Sequence, residues 1–143
     1  NRAPTAADAA VHLKFQVTGA YPDGYGNRIP SGRAESLADH QDFRAVKPLA
    51  IDNFLDTCFH GYDGSGHIAW PASGIRVRFA CSAACTHLVL YNPKGKPYFA
   101  VEPVTNANDG VNLHARGDQT SGITVLEPGQ DLKTSFEMQV EFD

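Results

Sequence analysis

Apolar and polar residues alternate along this chain far more often than apolar residues recur at intervals of three and four. In "VHLKFQV", Val11, Leu13, Phe15 and Val17 share one face of an extended chain while His12, Lys14 and Gln16 share the other. "IRVRFAC" repeats the pattern through Ile75, Val77, Phe79 and Cys81, and "LKTSFEMQVEF" carries it through Leu132, Phe136, Met138, Val140 and Phe142. A period of two marks a strand with one face in the core and one in water. "HLVLY", "PYFAVEPV" and "GITVL" read as further strands, and "YPDGYGN", "IPSG", "YDGSG", "NPKGKP", "NANDG" and "EPGQ" supply the turns between them. Short strands at this spacing predict an all-β, antiparallel β-sandwich or β-barrel, of which the β-sandwich is the fold expected here. The only helix-like candidates are a few residues around "PLAIDNFLD", and a single turn there would not change the class.

With 143 residues and no repeat, linker or low-complexity tract, residues 1–143 are expected to form one domain with a real core. The net charge of -4, with both signs interspersed, provides no basic patch to draw nucleic acid or anionic lipid. No apolar stretch reaches the roughly 20 residues of a membrane helix. The three cysteines include no CxxC pair, which points away from a disulfide framework and towards a reduced, cytoplasmic setting.

Candidate chemistry lies in a few acids with apolar company. Glu102 interrupts the β-prone run "PYFAVEPVT" and is followed by Pro103, whose missing N–H marks a strand edge or bulge. It either pairs with a cation across the strands or has a chemical role. Asp56 in "FLDTCFHGYDG" stands between Leu55 and Phe59, with Tyr62 and Trp70 close by in sequence. Carboxylates that grip hydroxyls, beside rings that stack on apolar ring faces, are what sugar recognition needs. An Asx turn at Asp56 explains the residue equally well.

Other motifs have plainer readings. Cys81, Cys85 and His87 could be drawn as a metal site, but Cys81 keeps the apolar phase of its strand and reads as a core thiol. His60 and His67 flank a Gly-rich turn without a carboxylate at ligand spacing. "ARGD" reads as a solvated loop with Arg116 near Asp118, and Lys94 and Lys96 as solvated turn residues that could reach a phosphate.

Five stretches together resemble the aldose 1-epimerases, or galactose mutarotases. "IPSGR" is similar to the family's Pro-x-Gly stretch, "HQDFRAVKPL" to its Asp-Phe-Arg segment, and "FLDTCFHGYDG" to its Asp-x-x-Phe substrate-binding segment. "LVLYNPKGKPYFAVEPVTNANDGVNL" resembles its catalytic Glu-Pro region, and "GITVLEPGQDL" its terminal Leu-x-Pro-Gly-Glu-x-Leu. The resemblance implies a β-supersandwich that interconverts α and β anomers of aldoses such as galactose or glucose, without a metal or redox cofactor. It implies that Glu102 is the general base at the anomeric hydroxyl and that Asp56 binds sugar hydroxyls; Trp70, near Asp56 in sequence, is the candidate stacking ring of the residue reading above. Opening a hemiacetal needs a base at that hydroxyl and an acid at the ring oxygen. A Glu102 in a half-buried cleft would have its pKa pushed upward.

The sequence departs from the family at the acid. The family's histidine lies in a His-x-Tyr-Phe motif that these residues do not contain; "HLKF" at 12–15 lacks the tyrosine and sits in an alternating strand. By its spacing to "IPSG", "VHLKFQV" matches the strand after that motif. The chain is therefore expected to be the C-terminal portion of a larger mutarotase-like domain, associating with a complementary N-terminal chain or with itself. Asn106 stands where relatives often carry histidine, which bears on substrate preference.

Overall fold

The computed structural model describes residues 10–24 and 26–142. Among the described residues, nine strands form two antiparallel sheets: β1 (Val11–Phe15), β2 (Gly19–Ala20), β3 (Lys47–Leu49), β4 (Leu55–His60), β5 (Ser65–Trp70), β6 (Ile75–Cys81), β7 (His87–Asn92), β8 (Ala100–Val104) and β9 (Phe136–Phe142). Sheet A has the order β3-β1-β5-β6-β9 and sheet B the order β2-β4-β7-β8. The expected antiparallel sandwich is what forms. The expectation about where the chain starts concerns residues before position 10, outside the described residues.

Alternation builds the core. Leu13 and Phe15 of β1, Leu55 and Phe59 of β4, Phe79 of β6, and Leu88 and Leu90 of β7 all turn inward and are buried. Phe15 binds the sheets together, with ring centroids 5.5 Å from Phe59 and 5.4 Å from Phe43. Gly66 in β5 belongs to the same packing: a Cβ there would lie 2.4 Å from the Phe79 ring and 2.8 Å from the Lys14 carbonyl. Tyr62 is buried in this core, so it is not available to a surface ligand.

Three sequence expectations fail. "PLAIDNFLD" forms no helix; it runs from the end of β3 through a turn into β4. The helix is instead α1 (Gly110–Ala115). Its six residues are too few for an apolar period to show, and Leu113 alone anchors it in a small cluster with Tyr21, Cys58 and Ala107. "GITVL" is irregular, and β9 begins only at Phe136, leaving Leu132 in a loop. The apolar residues of β9, the edge strand of sheet A, alternate as predicted but remain exposed.

Among the described residues no helix is long and apolar enough to cross a membrane. No group of three His, Cys, Asp or Glu side chains gathers there at metal-binding range. His60 and His67 fall on different sheets, and His87 turns to the outer face of sheet B and hydrogen bonds there, away from any site with Cys81 and Cys85. The three cysteines are free thiols.

Candidate functional site

The register of sheet B brings the two predicted acids to one face. Asp56 pairs with Tyr91, which pairs with Ala100; Cys58 pairs with Val89, which pairs with Glu102; His60 pairs with His87, which pairs with Val104. Residues directly opposite in neighbouring strands share a face, so these three ranks line the side of sheet B away from the core. Asp56 and Glu102 are two strands and two residues apart, a Cα separation of about 12 Å at ordinary strand spacing. Val89 and Tyr91 lie between them, with Val89 packed against the cluster of Tyr21, Cys58, Ala107 and Leu113.

The oddity of an acid inside "PYFAVEPVT" resolves the same way. Phe99 and Val101 pack against the core, and the residue next to Val101 must point to the opposite face. Glu102 is exposed on edge strand β8, in place of the half-buried, partly apolar setting expected from its neighbours in sequence. None of the ion pairs among the described residues involves it.

Asp56 has a partner that sequence reasoning missed. The Arg28 Nε–H donates to Asp56 Oδ2, replacing the Asx turn considered above. The guanidinium also bonds the Gly26 carbonyl at 3.0 Å and lies 5.9 Å from the centroid of the Phe54 ring. Arg28 takes a left-handed φ of 67°, uncommon for a residue with a side chain. Asn108 ties this loop to the next by donating from Nδ2 to the Arg28 carbonyl at 3.2 Å. Asp56 keeps 21% of its side chain exposed, leaving Oδ1 free for a ligand. Only the run "DGYGNR", with its turn-forming residues, hints that Arg28 is held by a tight loop.

Trp70 does not join this site. It pairs with Ile75 on the inner face of sheet A and lines a cleft between the sheets with Ile68, Phe99 and Val101. Proximity in sequence misled here: the turn after His60 carries the chain from sheet B to sheet A. Asn106 does sit beside the site, but its amide is engaged locally with Ala107 O and Thr105 Oγ1, both at 2.9 Å.

Residues 105–122, including α1, cover the end of the face beside His87. His87 is 1% exposed and lies 6.0 Å from the Tyr21 ring in a stacked arrangement. Its Nε2–H donates to the Thr120 carbonyl at 2.9 Å, and Nδ1 meets the Thr86 hydroxyl at 2.8 Å. Gly122 permits this closeness, since a Cβ there would stand 2.6 Å from His87 Cε1. The "ARGD" reading is corrected at the same place. Arg116 ends α1 in solvent, whereas Asp118 is buried, accepting at 2.8 Å from both the backbone N–H and the hydroxyl of Thr120. Lys94 and Lys96 lie on an exposed turn, as expected.

Burial holds the His87 pKa below its ordinary 6.5. The folded protein thus favours neutral His87, and the stability this contributes is full above about pH 6.5 and is lost as the pH falls below it. The urea midpoint is expected to drop between pH 7.5 and pH 5, with a shallower dependence in His87→Gln. An unchanged dependence would show that His87 is not the group responsible.

No family model matches the sequence, and no curated protein matches it. Solved structures that match the fold include two crystal structures. A candidate aldose 1-epimerase from Escherichia coli K12 superposes with a TM-score of 0.73 at 20% identity, over 94% of this chain and 46% of that one. A galactose mutarotase-like protein from Clostridium acetobutylicum gives 0.73 at 19% identity, over 95% of this chain and 43% of that one. The fold is that of a mutarotase-like β-sandwich. This chain spans less than half the length of either neighbour, and within the mutarotase-like fold Asp56 and Glu102 occupy the outer face of sheet B.

Proposed function

We propose that this chain is the base-bearing portion of an aldose 1-epimerase, with Glu102 as general base and Asp56 as the anchor for sugar hydroxyls. The observation that carries the reading is the common face: two carboxylates with free oxygens flank Val89 and Tyr91 on a fold shared with mutarotase-like proteins. A pyranose is about the size of the gap between the acids, so Glu102 could take the anomeric hydroxyl proton while Asp56 holds hydroxyls at the far side of the ring. Galactose and glucose are the sugars proposed, in a cytoplasmic setting that suits free thiols.

Neither His87 nor His60 supplies the acid. His87 has both ring nitrogens engaged and is sealed from solvent. His60 lies two strands from β8 and about 12 Å from Glu102 by Cα, too far to protonate a ring oxygen beside it. The same observation favours a second reading, a carbohydrate-binding β-sandwich without turnover. The two differ in polarimetry of freshly dissolved α-galactose: the first predicts acceleration when a chain bearing a histidine completes the site, the second none.

Asp56→Ala tests the anchor. A charge-assisted hydrogen bond is worth roughly 1.5–3 kcal/mol, so sugar affinity is expected to fall by about 10-fold to 100-fold in calorimetry. Unchanged affinity would remove Asp56 from the site.

A further inference from the structure

The outer face of sheet A gathers cations that the sequence scatters. Lys14 of β1 pairs with His67 of β5, His67 with Arg78 of β6, and Arg78 with Gln139 of β9. Leu13, Phe15 and Phe79 of the same strands turn into the core, so this rank points away from it. Arg76, two residues from Arg78 on β6, points the same way. The rank crosses an open groove of about 830 Å³. It stands on the far side of the sandwich from Asp56 and Glu102.

Positive charge is in excess along this rank. Like charges directly opposite each other in neighbouring strands destabilise a sheet, yet Lys14 and Arg78 flank His67 from both sides. Glu141 of β9 accepts from Arg78 Nε at 2.9 Å and lies 3.9 Å from Arg76 Nη1, so one carboxylate serves two guanidiniums. Lys14 makes no ion pair among the described residues. Burial, followed by Arg76, Lys14 and Arg78, holds the His67 pKa below its ordinary 6.5, against the opposite effect of Glu141.

We propose that this rank is an anion site for the phosphate group of a small molecule, with Lys14, His67 and Arg78 converging on its oxygens. Lys14 and Arg78 are two strand spacings apart, about 10 Å by Cα, so their long arms close over the shorter His67 from either side. Arg78 has its Nε–H committed to Glu141 and meets the ligand through its terminal Nη groups. Three donors arriving from three directions suit a tetrahedral dianion, whereas a planar carboxylate is matched by the two-pronged fork of a single guanidinium. Arg76 adds charge from the neighbouring rank.

The acids limit the ligand's size. Asp63 and Glu137 line one end of the same groove, and Asp63 already accepts from the Ser65 N–H and hydroxyl at 2.9 Å and 3.1 Å. A polyanion laid along the face would run onto them, while a single phosphate group meets the basic rank alone. The site is independent of the sugar reading, since it uses the other sheet and none of the same residues.

The test is a titration of the labelled full chain at pH 7.5, followed through the ring resonances of His67. The probes are inorganic phosphate and glycerol 3-phosphate, with chloride at matched ionic strength as the control. Saturable shifts at His67 are expected with both probes. Apparent affinity should fall at least about tenfold in Lys14→Gln and in Arg78→Gln, each a lost charge-assisted hydrogen bond, and stay unchanged in Lys94→Gln on its distant exposed turn. Circular dichroism should report an intact fold in all three. Sulfate, a dianion across the range, should raise the His67 pKa by about 1 unit, as an opposite charge at close range does. Tighter or equal binding of the ester supports the site and assigns a phosphate monoester; tighter binding of the free ion supports it and assigns phosphate itself. Shifts absent at tens of millimolar, shifts matched by chloride, a His67 pKa unmoved by sulfate, or affinity retained in either rank variant would overturn the proposal.

Discussion

Replacing Glu102 by glutamine is expected to abolish the acceleration of aldose mutarotation by any assembly containing this chain, while leaving sugar affinity within about twofold. Glutamine keeps the length and shape of glutamate and can still hydrogen bond a hydroxyl, but it cannot accept the anomeric proton. A positioned general base contributes about 10²-fold to 10⁴-fold, so the lost rate should fall in that range and appear in kcat. Because Glu102 is exposed and makes no ion pair among the described residues, the substitution should cost little stability. Circular dichroism and the urea midpoint should therefore match the parent chain. A variant that keeps most of the rate would remove Glu102 from the chemistry.

The largest effect on stability is expected at Phe59. Its ring is fully buried on β4, meets Phe15 edge to face at a centroid separation of 5.5 Å, and bridges the two sheets. Truncation removes a large apolar surface and leaves a cavity that the flanking strands cannot close, since Phe59 is hydrogen-bonded in register with Leu88 on β7. Phe59→Ala should cost about 3–5 kcal/mol in urea denaturation, a large share of the roughly 5–15 kcal/mol that holds a typical domain together. Phe142→Ala, on the uncovered part of β9, should cost far less in the isolated chain. A loss at Phe59 below about 1 kcal/mol would contradict its place in the inter-sheet core.

The contrast between these two phenylalanines also shows where the sequence is legible and where it is not. Period-two alternation identifies β1, β6 and β9 because the side-chain direction of a strand is fixed by its pleat. It says which residues share a face, but not whether another sheet covers that face, so the β9 residues were expected to be half-buried. α1 was invisible because six residues with one buried leucine carry no period. Asp56 and Glu102 could be singled out as acids in apolar runs, yet their common face depends on the pairing of β4, β7 and β8, which is non-local. Trp70 failed for the same reason, being near Asp56 in sequence but on the other sheet. Arg28 left almost no signal, because an arginine in a turn reads as solvated until the loop places it against Asp56.

The central claim is that the outer face of sheet B binds a sugar between Asp56 and Glu102. Titration of the isotopically labelled chain with D-galactose and D-glucose, followed through backbone amide resonances, tests it most directly. The account predicts saturable shifts confined to Asp56, Val89, Tyr91, Glu102 and the Arg28 and Asn108 loops, lost in Asp56→Ala. Shifts absent at millimolar sugar, or confined to sheet A, would contradict it.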